Sequence, residues 1–387
     1  MKQSFQIVLR SFWIQRIESA WKRRSVIWLS GVRRAGKTLL TRSLPNIEYF
    51  DCELPGLRRQ MEDSERFLKD HAKAGRLAID EIHLLDNPSQ LLKIAADYFP
   101  QLKIIATGSS TLAATTKFRD TLTDRKETIN LVPMIHQDLK DFGKTNLRNR
   151  LYHGGLPPFF LFDEFPAKGF EEWLSDYWAK DIQELFRLQN RHSFLKFAGL
   201  MFAQSGGIFE ANRFAGPCGV SHVTIGNYLQ VLEETYIVQV LRPYNTRRSS
   251  EIISAPKVYG FDTGFVCSYK GWSPLRPDDL GLLWEHFVLN EIQGNLQMRA
   301  LSYWRDKRGH EIDLIIPRHG KSPIAIECKW SDRDFDPSNL IVFRRQYPKG
   351  ANFVVCENVE KDYTGHKADI EWRFVSLTSL ISNLTKS

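Results

Sequence analysis

The sequence has 387 residues, and at roughly 150 residues per domain it predicts about two or three domains, each with its own core. Apolar residues make up 42% and charged residues 25%, which excludes a disordered or fibrous protein. The net charge is +8, but the first 44 residues alone carry ten lysines and arginines against the single acid Glu18. Because the rest of the chain is nearly neutral, net charge supports a polyanionic partner only weakly.

The cysteines are widely spaced and form no Cys-x-x-Cys or Cys/His cluster, which favours a reducing compartment and no zinc site. They are Cys52, Cys218, Cys267, Cys328 and Cys356. The sequence shows no secretory signal and no uncharged apolar run of about 18 residues that would span a bilayer. We therefore expect a cytoplasmic protein without a membrane partner.

The N-terminal part reads as an α/β unit. Apolar residues recur at helical spacing over the first twenty residues, although Arg10 and Arg16 interrupt them, so an amphipathic helix with a basic outer face is predicted. Apolar runs at residues 25–30, 77–79 and 103–106 alternate with helix-like stretches. This alternation predicts a parallel sheet within residues 1–143.

A phosphate-binding motif follows the first predicted strand. Residues 31–38 read G-V-R-R-A-G-K-T, which fits G-x-x-x-x-G-K-[ST] between a strand and a helix. In such a loop Lys37 reaches the β- and γ-phosphate oxygens, and the Thr38 hydroxyl binds Mg²⁺. The predicted nucleotide-binding residues are Gly31, Arg33, Arg34, Ala35, Gly36, Lys37, Thr38 and Leu39.

Carboxylates and hydroxyls end the next predicted strands. In L-A-I-D-E at residues 77–81, Asp80 is expected to help hold Mg²⁺ and Glu81 to polarise the attacking water. The alternative is a strand that ends in two solvated acids. Thr107 ends the following strand and could orient the water or contact the γ-phosphate, unless it only begins a turn.

These motifs resemble the bacterial and archaeal ATPases in which an AAA+ core precedes a winged helix and a restriction-endonuclease-like domain of undefined function. The resemblance covers nearly the whole chain and includes G-G-L-P at 154–157, K-V-Y-G-F-D-T-G at 257–264 and I-E-C-K-W at 326–330. It implies an α/β fold with an AAA+ P-loop core at 1–143, a helical lid or linker at 144–205, a winged helix at 206–250 and a PD-(D/E)xK nuclease-like domain at 251–387. It also implies ATP and Mg²⁺ as cofactors and a homo-oligomer.

A ring-forming ATPase of this type inserts an arginine into the neighbouring subunit's site. Arg119 and Arg125 precede a strand-like run at the corresponding position, and Arg125 is the candidate. The family usually has glycine before this arginine, whereas this sequence has Asp124. The competing interpretation is an exposed helix charge.

Residues 209–241 predict a helix-turn-helix followed by a strand and a basic stretch. On the second helix, Ser221 is the expected N-cap, and polar side chains face outward toward duplex DNA. The candidate DNA-binding residues are His222, Thr224, Asn227, Arg242, Arg247 and Arg248. Because the second helix carries no Lys or Arg, a protein-binding module or lid is the alternative.

Two later strands carry the pattern of a D…E-x-K metal site. Asp313 lies in one strand, and Glu327 and Lys329 lie on one face of the next. Glu285 on the preceding helix could add a carboxylate. These residues could share a Mg²⁺ that assists phosphodiester cleavage, or the domain could keep the fold as a binding module.

Three functions follow from these patterns. The first is a Mg²⁺-dependent AAA+ ATPase that binds duplex DNA and forms homo-oligomers. The second is an ATP-gated DNA nuclease that acts through the C-terminal site. The third is a nucleotide-dependent switch that binds only protein partners.

Overall fold

The computed structural model describes residues 8–108, 121–186, 188, 190–245 and 255–386. Three arginines considered above, Arg119, Arg247 and Arg248, lie outside these ranges. None of the helices within the described ranges combines the length and apolar composition that crossing a bilayer requires.

The N-terminal part of the described chain contains a parallel sheet. Its strands are β1 (Val26–Ser30), β2 (Glu48–Asp51), β3 (Arg76–Asp80), β4 (Lys103–Thr107) and β5 (Lys126–Asn130). The helices are α1 (Ser11–Trp21), α2 (Lys37–Arg42), α3 (Pro55–Gln60), α4 (Ser64–Asp70), α5 (Pro88–Tyr98) and α6 (His136–Asp141), with short 3₁₀ turns at Ala72–Ala74 and Ile82–Leu84. The strand order is β2-β3-β4-β1-β5, with every neighbouring pair parallel. The predicted α/β unit with a parallel sheet is therefore confirmed.

Helix α1 turns its apolar stripe inward. Trp13, Ile17 and Trp21 are buried, and the Trp21 indole donates a hydrogen bond to the carbonyl oxygen of Ile104 over 3.2 Å. The predicted amphipathic helix is confirmed from Ser11 onward, and its apolar face belongs to the core.

The segment 144–205 is mostly helical, as predicted. Its elements are α7 (Leu147–His153), α8 (Pro157–Phe160), α9 (Ala167–Tyr177), a π-helical turn (Trp178–Ile182), α10 (Gln183–Phe186) and α11 (Arg191–Ala203). Aromatic rings fill its core, and the Trp173 ring stacks on Tyr177 with the centroids 5.7 Å apart. This core is continuous with the one around α1 and β1.

Two helices and three short strands follow. They are β6 (Gly207–Ile208), α12 (Ala211–Cys218), α13 (His222–Glu234), β7 (Val238–Pro243) and β8 (Lys257–Gly260). Ser221 caps α13, since its hydroxyl accepts a hydrogen bond from the Thr224 backbone N–H over 3.1 Å. Strand β8 pairs antiparallel with both β7 and β6. The boundary expected at residue 251 therefore needs correction, because it separates β8 from its partner strand β7.

The C-terminal part is an α/β unit whose sheet continues the small one. Its helices are α14 (Thr263–Lys270), α15 (Asp279–Leu296), α16 (Ser338–Gln346) and α17 (Leu377–Lys386), with a 3₁₀ turn at Asp332–Asp334. Its strands are β9 (Ser302–Arg305), β10 (Glu311–Arg318), β11 (Lys321–Lys329), β12 (Asn352–Cys356), β13 (Tyr363–Lys367) and β14 (Ile370–Val375). The strand order is β13-β14-β12-β11-β10-β9-β7-β8-β6, because β9 pairs in parallel with β7.

Candidate nucleotide site at the carboxyl edge of the parallel sheet

The loop between β1 and α2 has a backbone conformation that explains its glycines. Gly31 has a φ of +144°, and a Cβ there would lie 2.4 Å from the carbonyl oxygen of Leu131. Gly36 has a φ of +97° and Arg34 a φ of +64°, both in the left-handed region. The predicted motif therefore forms a tight loop at the carboxyl end of β1, and α2 begins directly at Lys37.

The Lys37 side chain folds over this loop. Its ammonium group donates to the carbonyl oxygens of Gly31 over 2.8 Å and Val32 over 3.1 Å. Burial lowers the pKa of Lys37, an effect that the nearby Glu81 and Asp181 carboxylates oppose. The amine thus lies within the concave side of the loop, where a phosphate-binding lysine is expected.

Strand order brings Asp80 and Thr107 together. Because β4 lies between β1 and β3, the end of β4 is next to the end of β3. The Thr107 hydroxyl donates to one oxygen of Asp80, and the Tyr49 hydroxyl donates to the other over 2.6 Å. Asp80 is 3% exposed, so its carboxylate is held in one orientation by two buried or half-buried hydroxyls.

Glu81 follows in a left-handed conformation, with a φ of +52°. Its Oε2 atom lies 3.1 Å from His83 Nδ1, and its backbone N–H donates to the Thr107 hydroxyl over 3.3 Å. Burial raises the pKa of Glu81, but the His83 hydrogen bond and the charges of His83, Lys37 and Arg33 outweigh it and leave the pKa below its ordinary value. An ionised carboxylate at this position is suited to polarising a water molecule.

Lys37 and Glu81 line one cavity of about 370 Å³. Its polar lining comprises the loop, including Thr38, together with Arg10, Glu81, His83, Lys180 and Asp181. Its apolar lining comprises Val8, Leu39, Leu40, Phe142, Pro157, Pro158 and Leu161. A cavity lined by both charged and apolar side chains suits a flat base attached to a phosphate chain.

The two loop arginines contact the helical segment. Arg33 Nε donates to Asp181 of the π-helical turn over 3.1 Å, and Arg34 donates to Asp176 of α9 over 2.9 Å. The first pair is the more buried, since the Asp181 side chain is only 8% exposed. Residues from the lid segment therefore share the cavity with the loop.

Thr38 and Asp80 together offer oxygen donors of the kind that Mg²⁺ prefers, a hydroxyl and a buried carboxylate. The donor chemistry therefore fits the metal that the loop motif implies.

Sequence reasoning missed Arg10, Tyr49 and Asp181 as parts of the site. The Arg10 guanidinium donates to the Ala35 carbonyl over 2.9 Å and to both oxygens of buried Asp138 over 2.8 and 2.7 Å. A charged residue within the apolar N-terminal pattern was the available signal for Arg10. Tyr49 and Asp181 gave none, because their positions depend on tertiary packing.

Arg125 lies far from this site within its own chain. It directly precedes β5, whose first residue pairs with Val26 at the start of β1, whereas the nucleotide loop follows the end of β1. Its Nε donates to Asp97 over 2.8 Å. The structure therefore places Arg125 at the opposite, amino edge of the sheet.

The predicted DNA-binding side chains of α13 divide into two groups. His222 and Asn227 are exposed, whereas the Thr224 hydroxyl contacts the Ser221 hydroxyl at 2.9 Å within the N-cap. Arg242 on β7 forms an ion pair with Glu233 at 3.3 Å.

The candidate nuclease residues converge on the C-terminal sheet. Lys329 Nζ lies 3.1 Å from Asp313 Oδ2 and 2.8 Å from Glu327 Oε2. Burial and the neighbouring Asp313 raise the pKa of Glu327 well above its ordinary value. For Asp313, the charges of Lys329 and Lys257 outweigh burial and lower the pKa.

Glu285 joins this cluster through an unpredicted residue, Lys257 of β8. Lys257 Nζ lies 3.2 Å from Glu285 and 2.7 Å from Glu311. Across the described ranges, no group of three or more His, Cys, Asp or Glu side chains is arranged to hold a metal ion. Lysine ammonium groups contact the carboxylates of Glu285, Glu311 and Asp313, whereas neither oxygen of buried Glu327 forms a hydrogen bond within the described residues.

Comparison with known proteins identifies the N-terminal unit. Residues 23–140 match the family described as "AAA domain". Residues 144–276 and 280–379 match two families described as domains of unknown function, DUF8612 and DUF4143. Residues 23–140 are therefore similar to an AAA domain, and two regions similar to families of unknown function follow.

Two mycobacterial proteins are similar to most of this chain. The uncharacterized protein Rv2008c of Mycobacterium tuberculosis is 26% identical over 326 residues, which cover 81% of this chain and 72% of that protein. The uncharacterized protein Mb2031c of Mycobacterium bovis matches to the same extent. Among solved structures, the Walker-type ATPase PABY2304 of Pyrococcus abyssi matches 68% of this chain and 96% of its own, at 13% identity and a TM-score of 0.44.

Proposed function

We propose that this protein is a Mg²⁺-dependent ATPase. The observation that supports the proposal most strongly is the convergence of Lys37, Asp80, Glu81 and Thr107 on one edge of the parallel sheet. Lys37 and Glu81 line a cavity that also has apolar lining residues suited to a base.

Each of these residues has a separate role. Lys37 exchanges the loop carbonyls for phosphate oxygens, and Glu81 orients the attacking water and accepts its proton. Thr38 and Asp80 would hold Mg²⁺, which supplies positive charge to the phosphate oxygens when it is bound. Thr107 fixes the orientation of Asp80.

Nucleotide binding tests the first part of this proposal. We expect Lys37→Ala to abolish binding of a fluorescent ATP analogue, because the substitution removes the ammonium group that would contact the β- and γ-phosphate oxygens. Lys22→Ala, an exposed lysine at the end of α1, is the matched control and should bind as the wild type does. Full affinity in Lys37→Ala would contradict the proposed site.

We further propose that residues 190–262 form a winged helix that binds duplex DNA. The order of α11, β6, α12, α13, β7 and β8 supports the winged-helix topology, and exposed His222 and Asn227 are suited to contacting bases or phosphates. The second helix offers no cation of its own, so Arg247 and Arg248 would supply the phosphate contacts.

Protein binding by the same surface is a second candidate function. The exposed side of α13 carries Val223, which is 60% exposed, and Arg242 is already paired with Glu233. An affinity for duplex DNA that falls with added salt and in the Arg247→Glu/Arg248→Glu variant would support DNA binding. Absence of duplex binding at low salt would favour the protein-binding switch.

We also propose that the ATPase works as a homo-oligomer in which Arg125 acts on the neighbouring subunit. Its place at the amino edge of the sheet excludes contact with its own loop. Mixing inactive Lys37→Ala with inactive Arg125→Ala protein should then restore part of the turnover, because some sites combine an intact loop with an intact arginine. If the mixture stays inactive, the proposed role in trans is wrong.

A further inference from the structure

Four carboxylate side chains lie close together in the C-terminal unit, where they have little contact with solvent. Glu285 comes from α15, Glu311 and Asp313 from β10, and Glu327 from β11. Glu327 is 2% exposed. Carboxylates gathered away from water require cations nearby, which in a nuclease-like site would be metal ions.

Lys257 supplies such a cation from another part of the fold. It belongs to β8, which pairs with β7 and β6 rather than with β10 or β11. Its ammonium group lies 2.7 Å from Glu311 and 3.2 Å from Glu285, and its side chain is only 6% exposed. The rings of Tyr259 and Tyr303 flank the ammonium group at 5.4 and 5.9 Å, which further favours a cation there.

The other carboxylates lie beside Lys329 or other donors, although neither Glu327 oxygen forms a hydrogen bond within the described residues. Lys329 contacts both Asp313 and Glu327, and the same Asp313 oxygen accepts the Cys328 backbone N–H over 2.8 Å. The Glu285 oxygen that faces Lys257 also accepts the Tyr259 hydroxyl. A divalent cation would have to displace the donors of Glu285, Glu311 and Asp313 before it could bind their occupied oxygens together with Glu327.

We propose that the Lys257 ammonium group supplies the positive charge of this cluster in place of a divalent metal ion. The D…E-x-K residues then form ion pairs with lysines and do not bind a metal. The cluster then joins β8 to the C-terminal sheet and does not support a metal-dependent nuclease. This inference is independent of the nucleotide site, since none of its residues lines that cavity.

The proposal predicts a gain of function. Lys257→Ala removes the ammonium group that Glu285 and Glu311 share, while Lys329 still contacts Asp313 and Arg305 still lies 3.7 Å from Glu311, so the variant should bind one Mn²⁺ that the wild type does not bind. Binding is measured on the nucleotide-free full chain from the loss of the free Mn²⁺ signal in electron paramagnetic resonance. The double variant Lys257→Ala/Asp313→Asn should lose the new site, and Lys321→Ala, an exposed lysine on the same sheet, should not create it.

Two results would overturn the proposal. One is wild-type Mn²⁺ binding that disappears in Asp313→Asn, which would show an open metal site; this measurement needs no Lys257 variant and stands even if that variant does not fold. The other is a Lys257→Ala protein that keeps the wild-type circular dichroism spectrum yet binds no additional Mn²⁺. Either result would show that Lys257 does not hold the place of a metal.

Discussion

The Asp80 carboxylate shows how single side chains define the nucleotide site. Its two oxygens accept hydrogen bonds from Thr107 on one neighbouring strand and Tyr49 on the other. A carboxylate that is already oriented needs little rearrangement during turnover, which is how preorganised polar groups assist catalysis.

Thr107→Val tests this arrangement, because it removes the hydroxyl and nearly preserves the side-chain shape. Loss of a buried hydrogen bond costs about 1–3 kcal/mol, so we expect phosphate release to slow by about tenfold or more while ATP binding persists. Tyr49→Phe should have a smaller effect in the same direction, because the half-buried Tyr49 is more accessible to water. Thr145→Val at an exposed position is the control, and unchanged turnover in Thr107→Val would show that the hydroxyl has no role.

The loop residues could be predicted from sequence because the motif is contiguous. Gly31, Gly36, Lys37 and Thr38 act within eight successive positions, and their chemistry depends mainly on local backbone conformation. Tyr49 could not be predicted in the same way, because its contact with Asp80 depends on the pairing of β2 with β3.

At the scale of elements, the π-helical turn Trp178–Ile182 connects the lid segment to the loop. It places Asp181 beside Arg33 and close enough to Lys37 to influence its pKa. Sequence patterns give no reliable signal for one π-helical turn, and such turns are frequent at functional sites.

We expect Asp181→Asn to strengthen ATP binding. The substitution removes a buried negative charge from the region that would face the phosphates, which we expect to raise the affinity by about threefold to tenfold. Asp176→Asn breaks the more exposed pair with Arg34 and is the matched control with a smaller expected effect. Weaker binding by Asp181→Asn in calorimetry would instead mean that Asp181 mainly positions Arg33.

At the scale of the whole molecule, helix α15 of the C-terminal unit contacts the N-terminal α/β unit directly. Glu291 accepts a hydrogen bond from the backbone N–H of His136, and Asn290 donates to the Pro133 carbonyl over 2.9 Å. Burial raises the pKa of Glu291 to about 8, against the opposing effects of the His136 N–H and the Arg150 charge.

This contact predicts a pH-dependent stability. Folded Glu291 keeps its proton up to about pH 8, whereas the unfolded carboxyl ionises near 4.5. The contribution of protonated Glu291 to the free energy of unfolding is fully present below the pKa of the unfolded carboxyl. It is lost as the pH rises through the pKa of the folded protein, by about 1.4 kcal/mol per pH unit. Glu291→Gln should therefore flatten the fall in melting temperature between about pH 5 and pH 8, and Glu164→Gln at an exposed position should not. An unchanged slope in Glu291→Gln would contradict this assignment.

The division of the chain was harder to predict than its motifs. The parallel sheet could be predicted because its buried strands are continuous apolar runs. The boundary near residue 251 was misplaced because β8 pairs with β7 across the intervening residues, and β7 then pairs with β9. Lys257 was missed for the same reason, since only this strand pairing brings it to Glu285 and Glu311.

Phosphate release by wild type and Glu81→Gln, measured together with ATP binding, tests the central claim most directly. We expect the wild type to release phosphate only with Mg²⁺, and Glu81→Gln to bind ATP normally but lose turnover, because the amide cannot accept the proton of the attacking water. Glu62→Gln at an exposed position should retain full activity. A Glu81→Gln protein that hydrolyses ATP at the wild-type rate would contradict the proposed catalytic site.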